Sequence, residues 1–142
     1  AQIGRAKVDL GESDFVIYGN DKSYLNIAVV ESKLIERFID GYKQLLGYLN
    51  PSFMFGITIS INKNKQLGVA SDYIKRKLDA NHDDFKLVNI VENPLGDKFK
   101  YIIKSEHVLP EDGSRTMSVY HLIINLYDLG RKRIAIESRK SR

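Results

Sequence analysis

The stretch that most constrains this chain is NIAVVESKLIERFIDGYKQLLGYL, residues 26–49, because two periodicities meet inside it. It opens on the strand formers Ile27-Ala28-Val29-Val30, passes through the charged triplet Glu31-Ser32-Lys33, and then takes up helical spacing. Side chains alternate across a strand, so Glu31 and Lys33 point to one side. A carboxylate and an ammonium at the end of a strand that reads as buried need a partner, a metal or solvent to offset their lost hydration. A metal would satisfy Glu31; a phosphate would satisfy Lys33. Beyond them, Ile35, Phe38, Ile39, Tyr42, Leu45, Leu46 and Leu49 form one apolar helical stripe. Asn50-Pro51 ends it, since proline disfavours helical geometry in the residue before it. Gln44 lies away from the centre of the stripe, on the side of Gly41 and Tyr48. It is either a solvated glutamine or part of a polar ridge facing a groove kept narrow by Gly41 and Gly47.

The flanks give this unit a setting. Residues 15–18 are a compact β-prone run, and Gly19-Asn20-Asp21-Lys22-Ser23 is a turn, so a hairpin onto the strand at 24–34 is expected. Asp14 then stands at one end of the first strand and Glu31 near the far end of the second, ends that an antiparallel pair brings together. Residues 53–61 form the next β-rich run, which makes strand 24–34, the helix and this run a β-α-β crossover. Asn62-Lys63-Asn64-Lys65 follows at the carboxyl end of that strand, where ligands collect in open α/β sheets. It could hold phosphates or be a polar turn. A second amphipathic helix carries Leu67, Ala70, Tyr73, Ile74 and Leu78, with Lys75-Arg76-Lys77 alongside as a solvated face or a contact to a phosphate backbone. Residues 85–91, 99–108 and 116–127 are expected as strands of an antiparallel meander extending or flanking the first sheet. The basic segment 131–142 is expected to be a frayed tail or an edge segment.

At 142 residues the chain is long enough for one domain with a real core, assigned here to 1–130. Its start at Ala1 suggests a domain of a longer protein. With 43% hydrophobic and 28% charged residues it is globular in composition. The net charge of +4 suits a polyanionic partner without requiring one. The absence of cysteine excludes a disulfide framework, thiolate zinc sites and a cysteine nucleophile. No apolar run reaches the roughly 18 residues of a membrane span, so a cytoplasmic protein without a membrane partner is expected. His82, His107 and His121 are scattered and suggest neither a zinc pair nor a nucleophile relay. His121 alternates with Val119 and Ile123 and is expected to be a satisfied strand residue.

The order of these features resembles the active-site arrangement of the PD-(D/E)XK, or restriction-endonuclease-like, nuclease superfamily. Asp14 stands on one strand, Glu31-Ser32-Lys33 ends the next, Gln44 rides the following helix, and another strand comes after. VVESKLI, GYKQLLGYLNP and ITISINKNK are similar to a bacterial branch in which this domain ends larger proteins associated with defence against phage. The triplet alone has little weight, because Asp84-Phe85-Lys86 matches it too. The resemblance covers residues 11–65 and, more loosely, the meander.

The resemblance implies an α/β (α+β) fold with a mixed sheet, a hairpin, a crossover helix, a second helix and the meander. It implies Mg²⁺, with Mn²⁺ as a substitute, held by Asp14, Glu31 and the Ser32 carbonyl. Lys33 would assist the attacking water and Gln44 would position phosphate or water; Glu12 is a further candidate acid. Lys63, Lys65, Lys75 and Arg76 are the expected nucleic-acid contacts. DNA is the expected polymer and RNA the alternative, with a homodimer and other domains of the parent protein as further partners. A catalytically incomplete nucleic-acid-binding module and a structural or oligomerisation domain are the competing readings, and an edge-strand ion pair is the competing account of Glu31 and Lys33.

Overall fold

Val29 and Val30 are consecutive, point to opposite faces of their strand, and are both buried. Such burial marks a strand interior to the sheet, flanked by a neighbour on each edge, and the topology agrees. The computed structural model describes residues 2–4, 7–8, 11–12, 15–18, 26–50, 53–109, 113–127 and 129–140. In chain order these form β1 (Gln2–Gly4), β2 (Lys7–Val8), β3 (Gly11–Glu12), β4 (Phe15–Tyr18), β5 (Asn26–Leu34), a 3₁₀ turn (Ile35–Arg37), α1 (Phe38–Tyr48), β6 (Phe55–Asn62), α2 (Leu67–Ala80), β7 (Leu87–Glu92), β8 (Ile103–Val108), β9 (Thr116–Asn125) and α3 (Leu129–Lys140). Among the described residues seven strands make one mixed sheet in the order β1-β4-β5-β6-β9-β8-β7, and β2 pairs with β3 apart from it.

The expected hairpin is present: β4 runs antiparallel to β5, with Phe15 opposite Val30 and Val16 opposite Val29. So is the crossover, because β5 and β6 are parallel and α1 connects them. The meander β7-β8-β9 extends the same sheet, with β9 docking parallel to β6. The molecule is a mixed α/β fold of the α+β kind.

Two expectations need correction. β5 has neighbours on both sides, so an edge-strand ion pair does not describe Glu31 and Lys33. The basic segment after residue 130 is neither frayed nor an edge strand: it lies in α3, a helix whose Ile134 and Ile136 stay exposed. Arg, Lys, Ala and Glu all favour helix, which is why a segment without an apolar stripe still adopts it.

Both amphipathic helices cover the same side of the sheet. The core joins Phe38, Tyr42 and Leu45 of α1 and Ala70, Ile74 and Leu78 of α2 to Val16, Val29, Ile103, Met117 and Val119 of the strands. Gly56 on β6 lets the sheet approach α1, since a Cβ there would sit 3.1 Å from a Leu45 methyl.

Candidate functional site

Strand register sets what lies under the helices. Glu31 is opposite Thr58, and Thr58 is opposite His121; one step on, Lys33 is opposite Ser60, and Ser60 is opposite Ile123. Adjacent strands keep paired residues on one face, so a polar band crosses β5, β6 and β9 on the helix-covered side. Glu31 is only 2% exposed and has interaction partners. Lys33 is half-buried and makes no ion pair with any described residue. Its stem lies across α1 at Gly41, where an added Cβ would come within 2.7 Å of the Lys33 Cγ. This is the close approach that the glycine permits, and it brings the Gly41 side of the helix against the Glu31–Lys33 strand.

Gln44, one turn beyond Gly41, is exposed, while Tyr48 on the same side is buried. Gln44 and Tyr48 line a shallow pocket with Lys43 and Gly47. Ser32 alternates to the other face and is half-buried. Asp14 lies outside the described residues; it directly precedes Phe15, which pairs with Val30. Glu12 ends β3, which is not part of the large sheet.

The expected phosphate contacts divide into two kinds. Lys65 is paired with Glu36 at 3.3 Å and lies over the Tyr73 ring. Lys75 is held between Asp72 and Glu92, and these hydrogen bonds raise its pKa. Lys63 and Arg76 are exposed and ion-paired to no described residue. Asn62 is spent on structure: its side-chain amide donates to the Lys65 carbonyl and to Asn125, and its side-chain oxygen accepts from the Lys65 amide. Of the two readings of 62–65, that side chain follows the polar turn.

Two of the three histidines are not scattered, contrary to expectation, while His82 stays exposed beside Asp79 and Asp83. His107 and His121 meet through Ser105 in the core, each 2% exposed or less. The His107 Nδ1 lies 2.8 Å from the Phe85 carbonyl, which can only accept, so Nδ1 carries the proton. The remaining ring nitrogen then accepts from the Ser105 hydroxyl at 2.8 Å. Ser105 accepts in turn from the His121 Nε2 at 2.7 Å, and the His121 Nδ1 accepts from Thr58 at 2.6 Å. The Tyr42 hydroxyl reaches the same Nε2 of His107, a second donor to it. This assignment leaves both imidazoles neutral. Burial agrees with it, pushing His121 down to about 3 and His107 below its ordinary value. The signal for the cluster was in the strands: Ser105 and His107 alternate with polar residues on β8, as Val119 and His121 do on β9. Without the β8–β9 register the two alternations could not be joined.

His107 also floors a cavity of about 270 Å³ whose walls include Leu46, Phe85 and Met117. Among the described residues no three His, Cys, Asp or Glu side chains are grouped as metal ligands. Among the described residues, likewise, no helix is long and apolar enough to cross a membrane. No protein-family model, curated protein or solved structure matches the chain.

Proposed function

We propose that the chain is a metal-dependent phosphodiesterase of nucleic acid, DNA in the first instance, with Glu31, Lys33, Gln44 and Asp14 as its working residues. One observation carries the reading: Lys33 crosses Gly41 on the same face and strand as Glu31, so a carboxylate, an amine and the glutamine-bearing helix share one seam.

The donor chemistry suits Mg²⁺. It prefers hard oxygen ligands and is held by one or two carboxylates plus waters and substrate phosphates, so a cluster of three protein ligands is not required. Glu31 and Asp14 would hold it, with the Ser32 carbonyl, and Mn²⁺ would substitute. When bound, the ion supplies a Lewis acid for the phosphate and lowers the pKa of a coordinated water. Lys33 places an ammonium where negative charge develops, a contribution of about 3 kcal/mol when such donors are preorganised. Its stem is fixed against α1, so little rotamer freedom remains to be lost. Gln44, exposed at the rim, orients a phosphate oxygen through its amide. Lys63 and Arg76 draw in the polyanion.

The burial of Glu31 favours a second reading, a nucleic-acid-binding module that no longer cleaves, because a carboxylate at 2% exposure is closed to substrate phosphate. Plasmid and single-stranded RNA incubated with Mg²⁺, Mn²⁺ or EDTA, beside Lys33→Ala, separate the two. Cleavage abolished by EDTA and reduced at least about a hundredfold by Lys33→Ala supports the phosphodiesterase. Salt-dependent binding without cleavage selects the second reading. Cleavage indifferent to both EDTA and Lys33→Ala defeats the first.

A further inference from the structure

The other face of the sheet has the opposite character. Register aligns it in rows: Ala28, Phe55 and Ser118; Val30, Ile57 and Tyr120; Ser32, Ile59 and Leu122; Leu34, Ile61 and Ile124. These side chains take no part in the core beneath α1 and α2, and no described helix covers them. A sheet with one solvated face ordinarily shows polar side chains there, and parallel strands such as β5, β6 and β9 are ordinarily covered on both faces. Here the polar residues lie under the helices and the isoleucines point outward.

We propose that this face binds a second copy of the chain, forming a two-fold dimer of stacked sheets. The shape of the face favours that occupant. At the amino-terminal end of β6 is a groove of about 330 Å³ lined by Phe55, Ile57, Leu95, Ile102, Tyr120 and Leu122. At the opposite end Leu34 and Ile124 project, 42% and 47% exposed. A two-fold axis lying between the sheets and across the strands reverses the strand direction of one copy. It thereby lays the projecting end of each over the groove of the other, the reciprocal contact that a two-fold interface requires. Two sheets stacked about 10 Å apart are a common packing.

Charge and area point the same way. Among the described strand residues the charges flanking the face are Lys104 and Glu106, which pair with each other at 3.2 Å, so these strands attract neither a polyanion nor a strongly charged protein. The twelve positions of these rows, with Ile17 and Phe15 of β4 beside Ala28 and Val30, each take about 4.8 by 6.7 Å and give a footprint on the order of 450 Å². Two such footprints come to about 900 Å², close to the size at which specific interfaces begin and in keeping with a dimer that dissociates on dilution. The chain's own α3 leaves Ile134 and Ile136 in solvent and does not cover the face. The proposal is independent of the phosphodiesterase reading, whose residues lie chiefly on the helix-covered side.

Light scattering after size exclusion, over a dilution series, tests it with the intact chain and with Ile59→Lys and Ile124→Lys. The intact chain is expected at twice its 16.2 kDa mass, falling to the single mass on dilution. Both variants are expected to be monomeric with an unchanged circular dichroism spectrum. Should Ile59→Lys fail to fold, Ile124→Lys at the exposed strand end decides alone. A monomeric intact chain at every concentration, or a dimer that persists in folded Ile124→Lys, overturns the proposal, as does an aggregate of no fixed mass.

Discussion

The two faces of this sheet differ in a way that reverses the usual arrangement. Under the helices, the paired positions Glu31-Thr58-His121 and Lys33-Ser60 put polar side chains into the interior. On the open side, Ile57, Ile59 and Ile61 alternate with them along β6 and point outward. Burying polar groups costs stability unless each finds a hydrogen bond, whereas an exposed isoleucine costs little folding energy but invites association. The inner face therefore spends stability on a specific polar arrangement, and the outer face retains apolar surface for a partner. Substitutions on the two faces should fail in different ways.

The largest effect is expected from Ser105→Ala. It removes the hydroxyl that joins the two imidazoles and leaves the His121 Nε2 donor unmet in a dry site, while the Tyr42 hydroxyl still meets the His107 Nε2. A buried group left unmet costs about 1–3 kcal/mol, so a loss in that range is expected in urea unfolding. A loss below about 1 kcal/mol would mean that water replaces the hydroxyl, and the inner face would not be the closed network described here.

Acid should act on the same network. His121 is neutral in the fold, its pKa pushed down to about 3 by burial from the ordinary 6.5. Between those values the unfolded chain binds more protons than the native one, so stability falls as pH drops below 6.5 and stops falling near 3. By pH 5 the loss is about 2 kcal/mol from this residue, and the lowered pKa of His107 adds to it in the same direction. Unfolding measured from pH 8 to 4 is expected to show that slope, and His121→Gln to flatten it. A flat profile in the unsubstituted chain would place water around the ring.

Gly41→Ala separates positioning from folding. Alanine gains helix propensity of up to about 1 kcal/mol over glycine, while its Cβ would press within 2.7 Å of the Lys33 stem. The two effects offset, so stability should change by less than about 1 kcal/mol while the amine is displaced from the seam. Nuclease assays and unfolding on one preparation check this: retained stability with lost cleavage supports a seam set by Gly41, and unchanged cleavage removes the glycine from the site.

How far this was legible in the chain follows from the range of the interactions. The hairpin, the crossover helix and the pairing of Glu31 with Lys33 on one face rest on alternation and helical spacing, which act over a few residues. The contact between Lys33 and Gly41 was foreshadowed by a glycine in a helix, a residue that costs propensity and so asks for a reason. The joining of His107 to His121 depends on which residues of β8 and β9 face one another, and no local pattern encodes register between strands. Helical α3 was missed because its segment has good propensity and no stripe, and the stripe was the signal sought. The inversion of the faces needed the placement of α1 and α2, since alternation along β6 says which residues share a side but not which side the helices take.

The smallest effect should come from the outer face of an isolated copy. Ile124 is 47% exposed, so Ile124→Thr removes little buried area and should change unfolding stability by no more than about 0.5 kcal/mol when the chain is dilute. At high concentration the same substitution should lower the midpoint relative to the unsubstituted chain, because the proposed association stabilises the folded state and the variant associates less well. The comparison is thus a difference between two concentrations, not two proteins. If Ile124→Thr costs as much in dilute solution as Ser105→Ala, the outer face is part of the fold's own core and the contrast between the faces disappears.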